Sequence, residues 1–223
     1  MIRKATLRLV PDATVCVGAS ERDTYRKVTR RLLVHPDEVV GIGPLRQWIL
    51  DNVPERTVVM ADDDIQCVYS IVGFYKERLD DPHAAQAILE RTAILAEDAG
   101  VAVVGFNQAW DVRKYNPFKP FGFSSWVGGV IGIIGRDLRY DTGLLLRADI
   151  DYCLQSLLRH RIILVEQRYW FVHMRFGGSG GNAALRSEER HKKEILYLRR
   201  KWGRYVAVRP VKTSIRLIVN VDR

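Results

Sequence analysis

Thr57-Val58-Val59-Met60-Ala61-Asp62-Asp63-Asp64-Ile65 is the stretch on which the reading of this chain turns. An apolar, largely β-branched run leads straight into three consecutive carboxylates. The run reads as a buried strand, and the acids then stand at its carboxyl end. Three like charges repel one another and resist leaving water, so a strand end that carries them calls for a compensating cation. Hard carboxylate oxygens suit Mg2+ or Mn2+. Side chains alternate along a strand, which lets Asp62 and Asp64 share a face while Asp63 points away. The plainer alternative is a solvated turn.

Working outward, Thr14-Val15-Cys16-Val17 reads as a first buried strand closed by Gly18. Gly41-Ile42-Gly43-Pro44 opens a helix with Pro44 at its first position and Leu45, Trp48 and Ile49 at i, i+3, i+4 spacing. After the acids, Cys67 to Phe74 reads as another strand. Asp81 caps a helix that starts at Pro82, carries Ala84, Ile88 and Leu95 on one face and stops at Gly100. Val101 to Val104 is a further strand. Asn107 to Ser125, rich in aromatics, Pro and Gly, reads as a long loop. The run Val127 to Ile134 carries Gly128, Gly129 and Gly132, which suits backbone that approaches another group closely. Asp149 or Asp151 begins a helix. Arg161 to Val165 and Tyr169 to Met174 read as strands, and Gly177 to Gly181 as a flexible hinge. A basic helix follows from about Ala183 to Trp202. The tail alternates at Ile215, Leu217, Val219 and Val221, as a half-buried strand does. Strands alternating with helices make the class α/β.

The 223 residues suit one sizeable domain with a buried core. No apolar stretch approaches the ~20 residues of a membrane span, and no signal peptide is evident. Cys16, Cys67 and Cys153 lie far apart in apolar segments, which fits buried thiols in a reducing cytoplasm. The net charge of +9 favours an anionic partner.

Four features follow one another in order: Asp62-Asp63-Asp64 after a strand, Gly128-Gly129, Asp149-Ile150-Asp151 at a helix start, and His173 ahead of the glycine-rich loop. From about Thr14 to Gly203 the chain resembles nucleotide-sugar glycosyltransferases of the GT-A fold. That resemblance implies a Rossmann-like mixed β-sheet flanked by helices, a single domain over residues 1–223. It implies an Asp-x-Asp metal motif at Asp62 and Asp64, completed by His173, holding Mn2+ or Mg2+ on a nucleoside-diphosphate sugar, a UDP-sugar. Asp62 and Asp63 belong to the donor region. Asp149 matches the residue that serves as general base or contacts the acceptor, although the Glu that usually precedes it in the family is here Ala148. Helix capping is the plainer role for Asp149, and more so for Asp151. Gly128 and Gly129 match acceptor and sugar contacts. Arg46 matches a polar position facing the donor, with a surface arginine as the alternative. Gly177 to Gly181, Arg186 and Lys192 would form a lid over the diphosphate.

A narrower resemblance rests on Val58 to Gln66 together with His35-Pro36-Asp37-Glu38-Val39 and Gly41-Ile42-Gly43. These are similar to the TET-associated glycosyltransferases of bacteriophages, which are implicated in adding sugars to 5-hydroxymethyl-pyrimidines, such as 5-hydroxymethylcytosine, in DNA. The resemblance implies a DNA acceptor, no membrane partner, and the host cytoplasm as location if the protein is phage-encoded. A modified base would be flipped out of the duplex, with Trp110, Tyr115, Phe118, Phe121, Phe123 and Trp126 available for stacking. Two other classes fit clustered carboxylates and a basic surface. One is a metal-dependent nuclease or nucleotidyltransferase. The other is a non-catalytic DNA-binding module.

Overall fold

The structure, a computed structural model, describes residues 5–108, 111–174, 185–211 and 214–219. The chain begins with α1 (Ala5–Leu9), β1 (Val15–Gly18), α2 (Arg22–Tyr25), β2 (Leu32–His35) and α3 (Ile42–Asn52). The acidic stretch lies between β3 (Thr57–Ala61) and β4 (Ile65–Val72). There follow β5 (Tyr75–Leu79), α4 (Pro82–Asp98), β6 (Val103–Phe106), β7 (Phe121–Gly122) and β8 (Val130–Ile134). The remainder comprises α5 (Ala148–Arg159), β9 (Leu164–Glu166), β10 (Tyr169–His173), α6 (Glu188–Trp202), β11 (Val206–Val211) and β12 (Ser214–Val219).

The central sheet has the order β3-β8-β6-β9-β7. β8 runs antiparallel to both β3 and β6, and β6 is parallel to β9. Every residue of β6, β8 and β9 is buried. Their near-continuous Val and Ile content is what a strand covered on both faces requires. Met60, Val103, Ile131, Ile133 and Val165 of this sheet pack with Ile150, Leu154 and Leu157 of α5 and Leu198 of α6. A second, antiparallel sheet has the order β10-β4-β5. It shares a core with α4 through Val68, Phe171, Ala85, Ile88 and Leu89.

The result is a mixed α/β fold with mixed sheets flanked by helices. In place of one sheet there are four among the described residues: β1 pairs only with β2, in parallel, and β11 with β12. The strand expected from Cys67 to Phe74 turns at Gly73, which takes φ +57°, and returns as β5. The charged Tyr-Lys-Glu-Arg-Leu of β5 concealed that return. In α4, Asp81 caps and Gly100 terminates as expected, with Asp81 Oδ1 accepting from His83 N at 2.9 Å. The buried face is instead Ala85, Ile88, Leu89, Thr92, Ala93 and Ala96, and Leu95 is exposed. The true stripe lies about a quarter-turn round from Ala84 and Leu95. β12 covers Ile215, Leu217 and Val219, whereas Val221 and the Gly177 to Gly181 hinge lie outside the described residues.

α3 departs most instructively from its sequence pattern. It begins at Ile42, so Pro44 is the third helical residue, still within the turn whose N–H groups lack intrahelical partners. Its deepest face carries Gly43, Arg46, Gln47 and Leu50, while Leu45, Trp48 and Ile49 are half-buried. Ile42 N and Gly43 N donate to the carbonyls of Leu145 (2.7 Å) and Leu144 (3.1 Å). The helix therefore docks end-on against the segment that leads into α5. A Cβ on Gly43 would lie 2.4 Å from Leu144 O and 2.5 Å from Asp141 O, neither of which can yield without moving backbone. Gly43→Ala is thus expected to destabilise the protein by about 1–3 kcal/mol, despite alanine's better helix propensity. Thermal unfolding would read this as a fall in Tm of roughly 5 °C for a chain of this size.

Candidate functional site

Four strand ends meet at one edge of the central sheet. β3, β6 and β9 run the same way, so their carboxyl ends share that edge, and the antiparallel β8 brings its amino end to it. Open α/β sheets bind ligands outside the carboxyl ends of their strands. Here the edge opens into a cavity of about 360 Å3. Asp62 and Asp64 line it after β3, Phe106 and Asn107 at the end of β6, Gly128 and Gly129 before β8, Asp149 from α5 and His173 from β10.

The acidic turn is held from three sides. Asp62 N donates to Gly129 O at 2.7 Å, and Met174 N donates to Asp64 O at 3.0 Å. The hydroxyl of Thr6 donates to Asp62 O at 2.6 Å and accepts from Ile65 N at 3.1 Å, so one side chain spans the turn. Asp62 and Asp64 face the cavity with His173; Asp63 is exposed and is not among the lining residues. One ligand atom from each of Asp62, Asp64 and His173 lies within 4.8 Å of the others. That cluster could bind a metal ion. Its two carboxylates and one imidazole suit Mn2+ or Mg2+ by donor type.

Two local irregularities bring His173 there. The β10–β4 register shifts between Val172, opposite Cys67, and His173, opposite Ile65, so Gln66 is the extra residue of a bulge. Bulges re-aim the side chains beside them. Gly129, at φ +73°, has no side chain where a Cβ would lie 2.5 Å from the imidazole Cε1 and Nε2. His173 Nδ1 then sits 3.0 Å from Asp64 Oδ1. Burial alone would lower the His173 pKa, but the hydrogen bond to Asp64 and the charges of Asp62 and Asp64 outweigh it and raise it.

Asp149 occupies the other side of the cavity. The guanidinium of Arg46, itself 5% exposed, donates one nitrogen to Asp149 Oδ1 and the other to Asp62 Oδ1 at 3.0 Å. Arg46 does not line the cavity; it lies behind the two carboxylates and joins them. Asp149 therefore spends its carboxylate on Arg46, and the entry to α5 is stabilised by another residue. Glu194, buried on α6, accepts from the backbone N–H groups of Leu145 (3.0 Å), Leu146 (3.2 Å) and Arg147 (3.0 Å). Gly128 leaves room for Asp149, since a Cβ there would stand 3.1 Å from Oδ2. Burial pushes the Asp149 carboxyl up to about 6, against the pull of Arg46 and with the help of the Asp62 charge. Burial also works against the Arg46 charge, but Asp149, Tyr140 and Asp62 outweigh it and hold the guanidinium protonated. Asp151 is structural: its fully buried carboxylate takes bonds from Trp202 Nε1 (2.7 Å), Gln155 Nε2 (2.7 Å) and Lys201 Nζ (2.8 Å).

The aromatic loop contributes less than its composition suggested. Trp126 lines the cavity, whereas Phe118 is 92% exposed and Phe121 packs under Arg168. Trp110 lies outside the described residues. Trp170 of β10 lines the cavity instead, as do Arg147 and Arg186. Lys192 turns away to pair with Glu188 on its own helix at 2.7 Å. Arg147 was missed, although its place next to the acidic helix start was a signal that could have found it; Thr6 and Glu194 had no such signal, since a glutamate on a basic helix reads as a solvated face.

Removing Arg46 would leave Asp149 buried without its counter-charge. Breaking such a pair costs about 3–5 kcal/mol. The Asp149 carboxyl already sits above its ordinary value, so the fold favours its protonated form. That contribution is fully present below the unfolded pKa near 3.8 and is lost as pH rises through the folded one. In Arg46→Met the folded value moves higher still. Tm of the variant is expected to fall between pH 5 and pH 8 more steeply than that of the wild type, as thermal melts across that range would show.

A family model described as TET-Associated Glycosyltransferase matches residues 3–181. The matched span contains Arg46, the acidic turn, both glycines, Asp149 and His173. Searches of curated proteins and of solved structures return no match. With the family model running over most of the chain and over both halves of its polar cavity, this glycosyltransferase belongs to the TET-associated glycosyltransferase family.

Proposed function

We propose that this enzyme is a metal-dependent transferase of GT-A type that moves a sugar from a nucleoside-diphosphate sugar, a UDP-sugar, to the hydroxyl of a 5-hydroxymethyl-pyrimidine in phage DNA. The observation that carries the reading is the shared cavity: Asp62, Asp64 and His173 on one wall, Asp149 on the other, with Arg46 fixing their separation. Strand ends of a mixed α/β sheet converging on that cavity support the GT-A assignment. One working unit over residues 1–223 is supported by α6, which lies beyond the matched span yet supplies Glu194 to the site and Leu198 to the core.

In this reading Asp62, Asp64 and His173 would hold Mn2+ or Mg2+, which when bound would supply positive charge to the diphosphate leaving group. Arg147 and Arg186, the cations lining the cavity, bind the phosphates directly. Gly128 and Gly129 let the sugar approach the backbone. In an inverting transfer Asp149 takes the proton of the acceptor hydroxyl as the hydroxyl oxygen bonds to the anomeric carbon and the bond from that carbon to the diphosphate breaks, releasing the nucleoside diphosphate. A carboxyl held at about 6 is ionised at neutral pH yet basic enough for that step. A net charge of +9 suits a phosphate-rich acceptor, and a target base in a duplex has to be flipped out to reach the cavity.

The test is mass spectrometry of nucleosides from 5-hydroxymethylcytosine-containing DNA after incubation with mixed UDP-sugars and Mn2+. An added hexose mass is expected; no added mass with any sugar overturns the DNA acceptor. Two variants then separate the walls of the cavity. Asp64→Ala is expected to lose stabilisation by UDP with Mn2+ in a thermal-shift titration, together with transfer. Asp149→Asn is expected to keep that stabilisation while kcat falls by about 10²–10⁴.

A further inference from the structure

The β4–β5 hairpin carries a surface that neither the core nor the metal site explains. Its two strands run antiparallel from Val68–Leu79 to Val72–Tyr75 and close over Gly73 and Phe74. At that end Val72 is 64% exposed, Phe74 73% and Tyr75 81%. Large apolar groups clustered on a projecting tip are costly to leave in water and mark a contact surface. β5 is an edge strand, and edge strands carry charges to block pairing with other sheets. That accounts for Lys76, Glu77 and Arg78 but not for the apolar tip.

The hairpin is continuous with the cavity. Trp170, which lines the cavity, stacks on Tyr69 of β4 with ring centroids 5.7 Å apart and planes at 21°. Lys76 Nζ lies over both rings, 4.8 Å from the Tyr69 centroid and 5.5 Å from that of Trp170. In the register Tyr69 stands beside Trp170 and opposite Arg78, and Lys76 stands opposite Ile71, so these residues share one face of the sheet. A strip of stacked rings topped by a cation thus leads from the site along one face of the hairpin, and the Val72–Tyr75 pair at the tip stands on the other face. β10 pairs with β4 only as far as Ser70, and beyond it the hairpin is a two-stranded ribbon. Eight residues in β4 place the hairpin tip roughly 25 Å from the acidic turn at ~3.3 Å per residue, with Ile71 and Val72 beyond the three-stranded part.

We propose that this hairpin is the DNA-docking element of the enzyme, entering a groove of duplex DNA in the flank several base pairs from the target base. A two-stranded ribbon fits the major groove. Apolar side chains such as Phe74 and Tyr75 insert between base steps away from the target and anchor the duplex there. Lys76 meets a phosphate, and the Tyr69–Trp170 pair offers a stacking path for the displaced base. The inference rests on DNA being the acceptor.

The experiment measures binding of a fluorescent 5-hydroxymethylcytosine duplex by anisotropy, at two salt concentrations, for the wild type, Phe74→Ser/Tyr75→Ser and Lys76→Gln. Stabilisation by UDP with Mn2+ is recorded for each as a check on folding and on the donor site. Expected are a Kd raised at least about tenfold in the double variant, a shallower salt dependence by about one ion in Lys76→Gln, and donor stabilisation unchanged in both. Wild-type affinity in the double variant overturns the inference even where sugar transfer to DNA is observed. Loss of DNA binding with no sugar transfer by the wild type supports the inference while the acceptor reading fails. Phosphatidylglycerol vesicles form a third arm: variants that lose vesicle binding but keep DNA binding would assign the tip to a lipid surface and overturn the DNA role.

Discussion

The geometry of the site depends on one guanidinium held between two carboxylates. Asp62 comes from the end of β3 and Asp149 from the first turn of α5, and nothing in the backbone obliges them to face the same space. Arg46 does so by donating to both. It is placed by α3, whose first two N–H groups are bonded to the Leu144 and Leu145 carbonyls just ahead of α5. Gly43 makes that docking sterically possible. The same segment is gripped from the far side by Glu194 through the N–H groups of Leu145, Leu146 and Arg147. Two helices distant in sequence thus fix one short loop, and through it the position of Asp149 relative to the acidic turn.

The wall that carries Asp62, Asp64 and His173 is built by a different kind of constraint, close packing of backbone. Thr6 ties the two ends of the acidic turn, the bulge at Gln66 re-aims His173, and Gly129 vacates the volume the imidazole occupies. These features have little energetic worth singly. A metal site needs them because donor atoms must converge within a fraction of an ångström, and side chains on regular elements rarely converge unaided.

Much of this was legible in the sequence, and the reasons are specific. Asp62-Asp63-Asp64 stood out because three charges directly after a buried strand demand an explanation. Gly128 and Gly129 stood out because closely spaced glycines in an apolar run cost stability unless something approaches closely. Strand and helix boundaries held where capping chemistry was strong, as at Asp81-Pro82 and Gly100. The reading failed where tertiary structure overrides local pattern. In α3 the apolar Leu45, Trp48 and Ile49 predicted the buried face, yet Arg46, which joins the two carboxylates of the site, and Gln47, which accepts from Tyr140 N, lie there. β5 lacks any alternation of apolar residues because it is an exposed edge. Glu194 and Thr6 act on backbone groups far away in sequence, and no local signal encodes such a partner. Family membership in turn sets aside the nuclease and non-catalytic readings, which the clustered acids and basic charge alone had left open.

Charge balance explains why the parts take these roles. At neutral pH the cavity wall gathers three carboxylates, Asp62, Asp64 and Asp149, against the single guanidinium of Arg46 behind them. With His173 neutral, as a metal ligand must be, this acidic group carries two uncompensated negative charges, the amount one divalent cation would cancel, while Arg147 and Arg186 line the rest of the cavity. Arg46 cannot serve the substrate as well, because both its terminal nitrogens are engaged by the protein's own acids. Arg147 and Arg186, which also line the cavity, are then left to meet anionic charge brought in from outside. In the proposed reaction the internal pair would set geometry and the outer cations affinity. Exchanging Arg46 for a residue that freed Asp149 would disturb the first without improving the second.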